Sequence, residues 1–228
     1  MYWVGMNPDP QLSPSELEEV DRFYSTTHVA EVVASNPGFV RATRYELLEP
    51  DPRGEPYAGP RWLAIYDIEG EDGARAYAER NDHPERGGPA YTPWPGGRLR
   101  AHIVWRMTWR RIATCGSSEA PPDSIFLVGM NVPEDTDAAG LAEFNSFYTN
   151  IHLPEVVAAG GYTCASRFEL FREFLHPRPG CPRFCAVYEA DASATQQQRQ
   201  RLSQARLSPG PPVWEKHDTR WRLVYRRL

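Results

Sequence analysis

The sequence predicts an α+β fold in which a β-α-β-β-α-β segment occurs twice in tandem. The first observation behind this is a repeat: Phe23-Tyr24-Ser25-Thr26-Thr27-His28-Val29-Ala30-Glu31-Val32-Val33-Ala34 returns as Phe147-Tyr148-Thr149-Asn150-Ile151-His152-Leu153-Pro154-Glu155-Val156-Val157-Ala158. The second is that matches continue in the same order to both ends. Val4-Gly5-Met6-Asn7 pairs with Val128-Gly129-Met130-Asn131, Arg44-Tyr45-Glu46-Leu47 with Arg167-Phe168-Glu169-Leu170, Pro60–Tyr66 with Pro182–Tyr188, and Trp105–Ile112 with Trp221–Leu228. The third is that hydrophobic period switches between strand and helix in the same sequence within each copy.

Tyr2–Asn7 is short, apolar and Gly-containing, and it opens the chain as a strand. Ser13-Pro14-Ser15-Glu16 is a capping box with proline at the first helical position, and the helix it starts runs to about Ser35, where Asn36-Pro37-Gly38 stops it. Phe39–Leu48 alternates as a strand, with Arg44 and Glu46 on one face and Tyr45 and Leu47 on the other. A turn at Glu49–Pro60 leads to a strand at Arg61–Ile68, apolar on both faces and so expected to be covered on both. A short helix at Glu71–Arg80, a Gly- and Pro-rich loop at Asn81–Gly97 and a strand at Leu99–Ile112 complete the first copy. Residues 113–124 are small, polar and proline-bearing, as an extended linker between halves 1–112 and 125–228 would be. The second copy repeats the plan, with strands at 125–131, 161–171, 182–189 and 217–227 and helices at 137–159 and 192–206. This order is that of the ferredoxin-like split unit, two helices over one face of a four-stranded antiparallel sheet. Each bare sheet face needs cover, and the other half's sheet supplies it.

With 41% apolar and 12% aromatic residues, a chain of 228 residues can bury one large core or two modest ones. Its formal charge of −5, with acidic residues in excess, argues against nucleic acid as a partner. No apolar run reaches the roughly 20 residues a membrane helix needs, and the first residues read as a strand, so a cytoplasmic protein with no membrane partner is expected. Cys115, Cys164, Cys181 and Cys185 lack paired CxxC spacing, so buried free thiols are expected in place of a zinc site or a disulfide framework, and no metal ligand is assigned. Walker, GxGxxG, HExxH, GxSxG and EF-hand patterns are missing, which removes nucleotide, zinc-hydrolase, serine-hydrolase and calcium readings.

The chain resembles a fused, single-chain form of the dimeric α/β-barrel superfamily, in which two ferredoxin-like units pair sheet to sheet around a central cavity. Tyr24-x3-His28-x2-Glu31 followed by Gly38-Phe39 and Arg44-Tyr45-Glu46 is most similar to the EthD-like branch, which carries a helix-borne histidine after an aromatic cluster. His152-Leu153-Pro154 is close to the His-x-Pro form of that branch, and His28-Val29-Ala30 departs from it. The resemblance implies relatives that include cofactor-free monooxygenases, muconolactone isomerases, polyketide cyclases, dehydratases and haem proteins. A monomeric pseudo-dimer is expected, with a homodimer through edge strands as the alternative.

Tyr, His and Glu at i, i+4 and i+7 share one helix face in both copies, so Tyr24, His28 and Glu31, with Tyr148, His152 and Glu155, are the candidate catalytic groups. His28 and His152 are placed to move protons, Glu31 and Glu155 to orient them, and the phenols to donate to an oxyanion. The plainer alternatives are a surface His–Glu helix pair and aromatic core packing. If Tyr45, Leu47, Phe168 and Leu170 face the helices, Arg44, Glu46, Arg167 and Glu169 point between the sheets. There they either bind a substrate anion or pair with each other as a clasp between the halves. Asn7 and Asn131 offer one more polar contact or satisfy local backbone, and Trp62 and Trp94 offer stacking surfaces if they border the cavity. The function expected is a cofactor-independent enzyme acting on a small hydrophobic carbonyl or phenolic compound. It would work by histidine-mediated proton transfer with enolate or phenolate stabilisation, as a cyclase, dehydratase, isomerase or monooxygenase. The alternatives are a non-catalytic hydrophobic small-molecule binder and a haem protein with one of these histidines as axial ligand.

Overall fold

The structure, a computed structural model, describes residues 1–191 and 195–228. Strands β1 (Tyr2–Pro8), β2 (Phe39–Glu49), β3 (Trp62–Ile68), β4 (Ala101–Gly116), β5 (Ser124–Asn131), β6 (Cys164–Leu175), β7 (Phe184–Ala190) and β8 (Asp218–Arg227) close into one barrel in the order β1-β3-β2-β8-β5-β7-β6-β4. All eight neighbouring pairs are antiparallel. The first four strands are contiguous around the wall and so are the last four, with seams at β2–β8 and β4–β6. The expected cover of sheet by sheet is therefore present, as a closed barrel with no free edge among the described strands.

Helices lie outside this wall. α1 (Pro14–Phe23) begins as expected: Ser13 Oγ accepts from the Glu16 N–H, and Glu16 Oε2 accepts from the Ser13 N–H at 2.8 Å. It passes through a π turn at Tyr24–His28 into α2 (Val29–Ser35). α4 (Ala138–Phe147), capped by Asp137, passes through a π turn at Tyr148–His152 into α5 (Leu153–Gly160), which ends on Gly161 with φ +71°. α3 (Gly70–Asp82), α6 (Thr195–Gln204) and the short α7 (Pro212–Glu215) complete the layer. The start expected for the last long helix, 192–194, lies outside the described residues.

Three cores result. The barrel interior holds Trp3, Tyr45, Leu63, Ile65, Trp105, Met107, Trp109, Ile125, Leu127, Phe168, Cys185, Val187, Trp221, Leu223 and Tyr225. The other two lie between wall and helices, one around Tyr2, Tyr24, Trp62 and Tyr66, the other around Phe144, Tyr148, Phe184 and Tyr188. The repeated Val-Gly-Met-Asn is explained here: Gly5 faces Trp105 and Gly129 faces Trp221 across the β1–β4 and β5–β8 pairs, and a Cβ on Gly129 would stand 2.6 Å from the Trp221 ring. Only glycine leaves room for the Trp221 indole over Gly129, and at Gly5 for the Pro60 ring, into which a Cβ would run.

Two expectations are corrected. Residues 113–116 do not begin a linker; they continue β4, pairing with β6 from Ala113↔Arg167 to Gly116↔Cys164. The faces of β2 and β6 are also the reverse of those expected. Tyr45 and Phe168 point into the barrel, and Arg44 and Arg167 point at the helices. Cys164 and Cys185 are buried free thiols, while Cys115 and Cys181 are free and half-buried.

Candidate functional site

The π turns decide how the repeated motif is presented. In each, a backbone N–H reaches back five residues instead of four, Val29 to Tyr24 O and Leu153 to Tyr148 O. This keeps Tyr and His together: the ring centroids are 5.5 Å apart for Tyr24–His28 and 5.1 Å for Tyr148–His152. The glutamates leave the stripe. Glu31 accepts from the Thr92 N–H and hydroxyl, and Glu155 from the Ser208 N–H at 3.0 Å and hydroxyl at 2.5 Å, so each pins the loop that crosses its helix and neither is hydrogen-bonded to a histidine.

In the second half a cavity of about 430 Å³ opens between β5, β7, β8 and the helices. Its wall is mostly apolar, with Phe126, Val128, Met130, Val156, Leu202 and Leu207. Polar groups project at His152, His217, Tyr148, Tyr188, Thr219 and Arg222, and the volume lies in the range of small-molecule sites, roughly 300–1,000 Å³. His152 is half-buried against Trp214, ring centroids 4.4 Å apart. Burial lowers its pKa from 6.5 to about 4 despite the opposing pull of Glu155, so at neutral pH it is an uncharged imidazole. Neither of its ring nitrogens has a hydrogen-bond partner among the described residues. His217 stacks on the same indole at 4.5 Å, donates from Nδ1 to Trp214 O and accepts at Nε2 from Thr219 Oγ1 at 3.2 Å. Beneath them the Tyr148 and Tyr188 hydroxyls meet at 3.2 Å, and burial pushes the Tyr148 phenol up to about 12.

At the corresponding place in the first half, aromatic rings crowd the histidine. His28 is hemmed in by Trp94, Tyr91 and Tyr24 at 4.8, 5.2 and 5.5 Å, and its buried Nδ1 has no partner among the described residues. Tyr77 and Phe174 pack on Tyr2 at 4.5 and 6.4 Å. Trp94 packs on His28 at 4.8 Å as Trp214 packs on His152 at 4.4 Å, and Trp62 is buried beneath Arg44, its ring 5.1 Å from the guanidinium carbon.

The strand charges do not meet in a central site. Arg44 Nη1 pairs with Asp21 Oδ1 at 2.8 Å and donates to Ser25 Oγ at 2.5 Å, while its guanidinium lies 4.1 Å from the Tyr24 ring. Arg167 donates to Asn145 O and Oδ1 and to Thr149 Oγ1 at 3.2, 2.9 and 2.7 Å, 4.2 Å from the Tyr148 ring. Both arginines therefore lock the π-turn helices to the wall. Glu46 pairs with Arg226 at 2.7 Å across the β2–β8 seam, and Glu169 with Arg110 at 2.7 Å across β4–β6. The clasp is real, but it joins each glutamate to the other half's last strand and leaves Arg44 and Arg167 out. Burial opposes ionisation of Glu46 and Glu169, yet hydrogen bonds from these arginines hold both carboxyls below their ordinary value. Asn7 and Asn131 accept from the backbone N–H of Arg61 and Arg183 at 2.7 Å, which makes them local supports and not site groups. Among the described residues no three His, Cys, Asp or Glu cluster to hold a metal ion.

Of the expected residues, the structure brings Tyr148 and His152 to the cavity, and sequence reasoning missed Tyr188, Trp214, His217 and Arg222. Tyr188 was visible as the end of a repeated segment. His217 carried the opposite signal, a histidine with no counterpart in the first copy.

No family model and no curated protein matches the chain. Solved structures do. A provisionally assigned chlorite dismutase superposes with TM-score 0.55 at 13% identity, covering 100% of this chain and 93% of that one. A mutant chlorite dismutase from Candidatus Nitrospira defluvii in complex with cyanide gives 0.50 at 10%, covering 100% and 89%, and a second mutant of that enzyme gives 0.50 at 11%, covering 100% and 90%. At such identities the likeness is one of fold: this chain has the antiparallel eight-strand α/β-barrel architecture that these chlorite dismutases adopt.

Proposed function

We propose that the second-half cavity binds a flat, largely apolar small molecule, and that haem is a group its residues fit. The observation that carries this is His152, an imidazole kept neutral by burial, with no hydrogen-bond partner for either nitrogen among the described residues, on the wall of an aromatic and aliphatic cavity. Neutral imidazole is the form a metal accepts. Support also comes from the fold, because haem proteins are among the relatives that the α/β-barrel resemblance implies. Haem, if bound, would supply an iron able to take small ligands and redox chemistry. The chain's own part would be the His152 nitrogen, the Trp214 face beside it, and the Tyr148–Tyr188 hydroxyl pair as a polar contact. His217 is already engaged at both nitrogens and would buttress Trp214.

The cofactor-independent proton-transfer reading has less behind it. A group near 4 is a weak base at neutral pH, where a general base works best with a pKa near the working pH. Arg44 and Arg167, the expected enolate partners, are engaged with the helices. The division into two tandem ferredoxin-like units, 1–112 and 125–228, the EthD-like affinity of the repeated motif and a cytoplasmic location belong to the same proposal, the first supported by the twice-repeated element order.

Haem titration of the purified protein tests it. A saturable Soret band at one haem per chain, shifted or lost in His152→Ala, is expected. Absence of a saturable band overturns the haem reading, and a band indifferent to His152→Ala overturns the role of His152.

A further inference from the structure

The two halves use one arginine in two ways. Arg106 on β4 stands opposite Val4, and Arg222 on β8 stands opposite Val128, so the two are counterparts in register as well as in sequence. Arg106 is satisfied from within. Its Nε donates to Tyr2 Oη at 3.0 Å, and its Nη2 donates to Tyr77 Oη at 3.3 Å and Asn81 Oδ1 at 2.5 Å. The two phenols, centroids 4.5 Å apart, occupy the space between wall and helices.

In the second half the counterpart of Tyr2 is Phe126, which carries no oxygen. The cavity opens over Phe126, Val128 and Arg222, the counterparts of Tyr2, Val4 and Arg106. The Arg222 backbone N–H donates to Asp51 Oδ2 at 3.0 Å, but its guanidinium has no acceptor among the described residues. Nearby carboxylates are taken: Asp51 pairs with Arg53, and Asp218 with Arg220. Arg222 is exposed at the mouth while Tyr148 and Tyr188 are buried within, so the site is cationic at its rim and aromatic at its floor.

We propose that this cavity takes an aromatic acid, whose anionic oxygen is received by Arg222 while its ring lies among Phe126, Tyr148, Tyr188 and Trp214. The first half contains the internal version of that complex, with aromatic rings in the cavity and their oxygens on the arginine. This rests on the cavity being a ligand site and not on the ligand being haem. A charge-assisted hydrogen bond at the rim favours the anion, and the apolar walls take the ring.

The probes are anilinonaphthalene sulfonate, an aromatic anion, and phenylnaphthylamine, the same ring system without the acid, followed by fluorescence. The wild-type protein should bind the sulfonate about tenfold more tightly than the neutral amine. Arg222→Gln should abolish that preference by weakening the sulfonate alone. Phe126→Tyr, which rebuilds the first-half arrangement by placing a hydroxyl beside Arg222, should also weaken the sulfonate, with an unchanged circular dichroism spectrum. Equal affinity for both probes, a preference that survives Arg222→Gln, or binding of neither probe overturns the inference. If haem fails to bind while the sulfonate preference follows Arg222, only the haem reading falls. If haem binds through His152 and the preference is absent, only this inference falls.

Discussion

His152 is one residue whose burial can be read as pH dependence. Its folded-state pKa is depressed from 6.5 to about 4, so the unfolded chain takes up a proton first as pH falls. The stability tied to a neutral His152 is fully present above about 6.5 and is lost as pH drops towards 4. Urea midpoints of the wild type should fall over that window more steeply than those of His152→Gln, and parallel curves would assign the effect to other groups. Arg167 is the second test at this scale. It is 1% exposed and holds three acceptors on α4 and the π turn. Arg167→Lys keeps the charge and loses the planar fork, with an expected cost of about 1–3 kcal/mol in denaturant unfolding.

At the scale of elements, the π turns and the repeated glycines are where local sequence and packing meet. Gly129→Ala drives a methyl into the Trp221 ring, so an overpacking loss of about 1–3 kcal/mol is expected in thermal or urea unfolding. A midpoint equal to the wild type would mean that the indole moves aside freely. The first helix start was legible because the Ser13 box is local hydrogen-bond chemistry, and the second because it repeats the first. The π turns were not, because an extra residue in a helix is set by what its side chains pack against. Here those contacts are Arg44 over Tyr24 and Arg167 over Tyr148, both reaching from strands distant in sequence.

For the whole molecule, the seams carry the pseudo-symmetry. Glu46–Arg226 and Glu169–Arg110 are near solvent, each glutamate about one-fifth exposed and each arginine 54% exposed, so each pair contributes about 0–1 kcal/mol. Glu46→Gln with Glu169→Gln should lower stability by at most about 2 kcal/mol, more at low salt than high, and leave probe binding in the second-half cavity unchanged. A loss of binding in that double variant would restore these residues to the site. The halves differ in packing: Trp94 and Tyr91 crowd His28, and Tyr2 and Tyr77 engage Arg106, whereas a cavity lies over Phe126 and Arg222 in the second.

The sequence by itself determined the duplication, the order of elements and the fact that both sheet faces would be covered, because repeats, periodicity and capping are local properties of the chain. It also named Tyr148 and His152, together with Tyr24, His28 and both glutamates and without distinguishing the copies. Only the tertiary structure decided which face of β2 and β6 looks inward. Alternation separates Arg44 from Tyr45 without saying which side is the barrel, since helix layer and barrel interior are both apolar and both able to bury an aromatic ring. It also decided that a cavity lies over Phe126 and Arg222 in the second half. The hydroxyl that engages Arg106 belongs to Tyr2, more than 90 residues away, and a contact so distant in sequence is fixed only when the barrel closes.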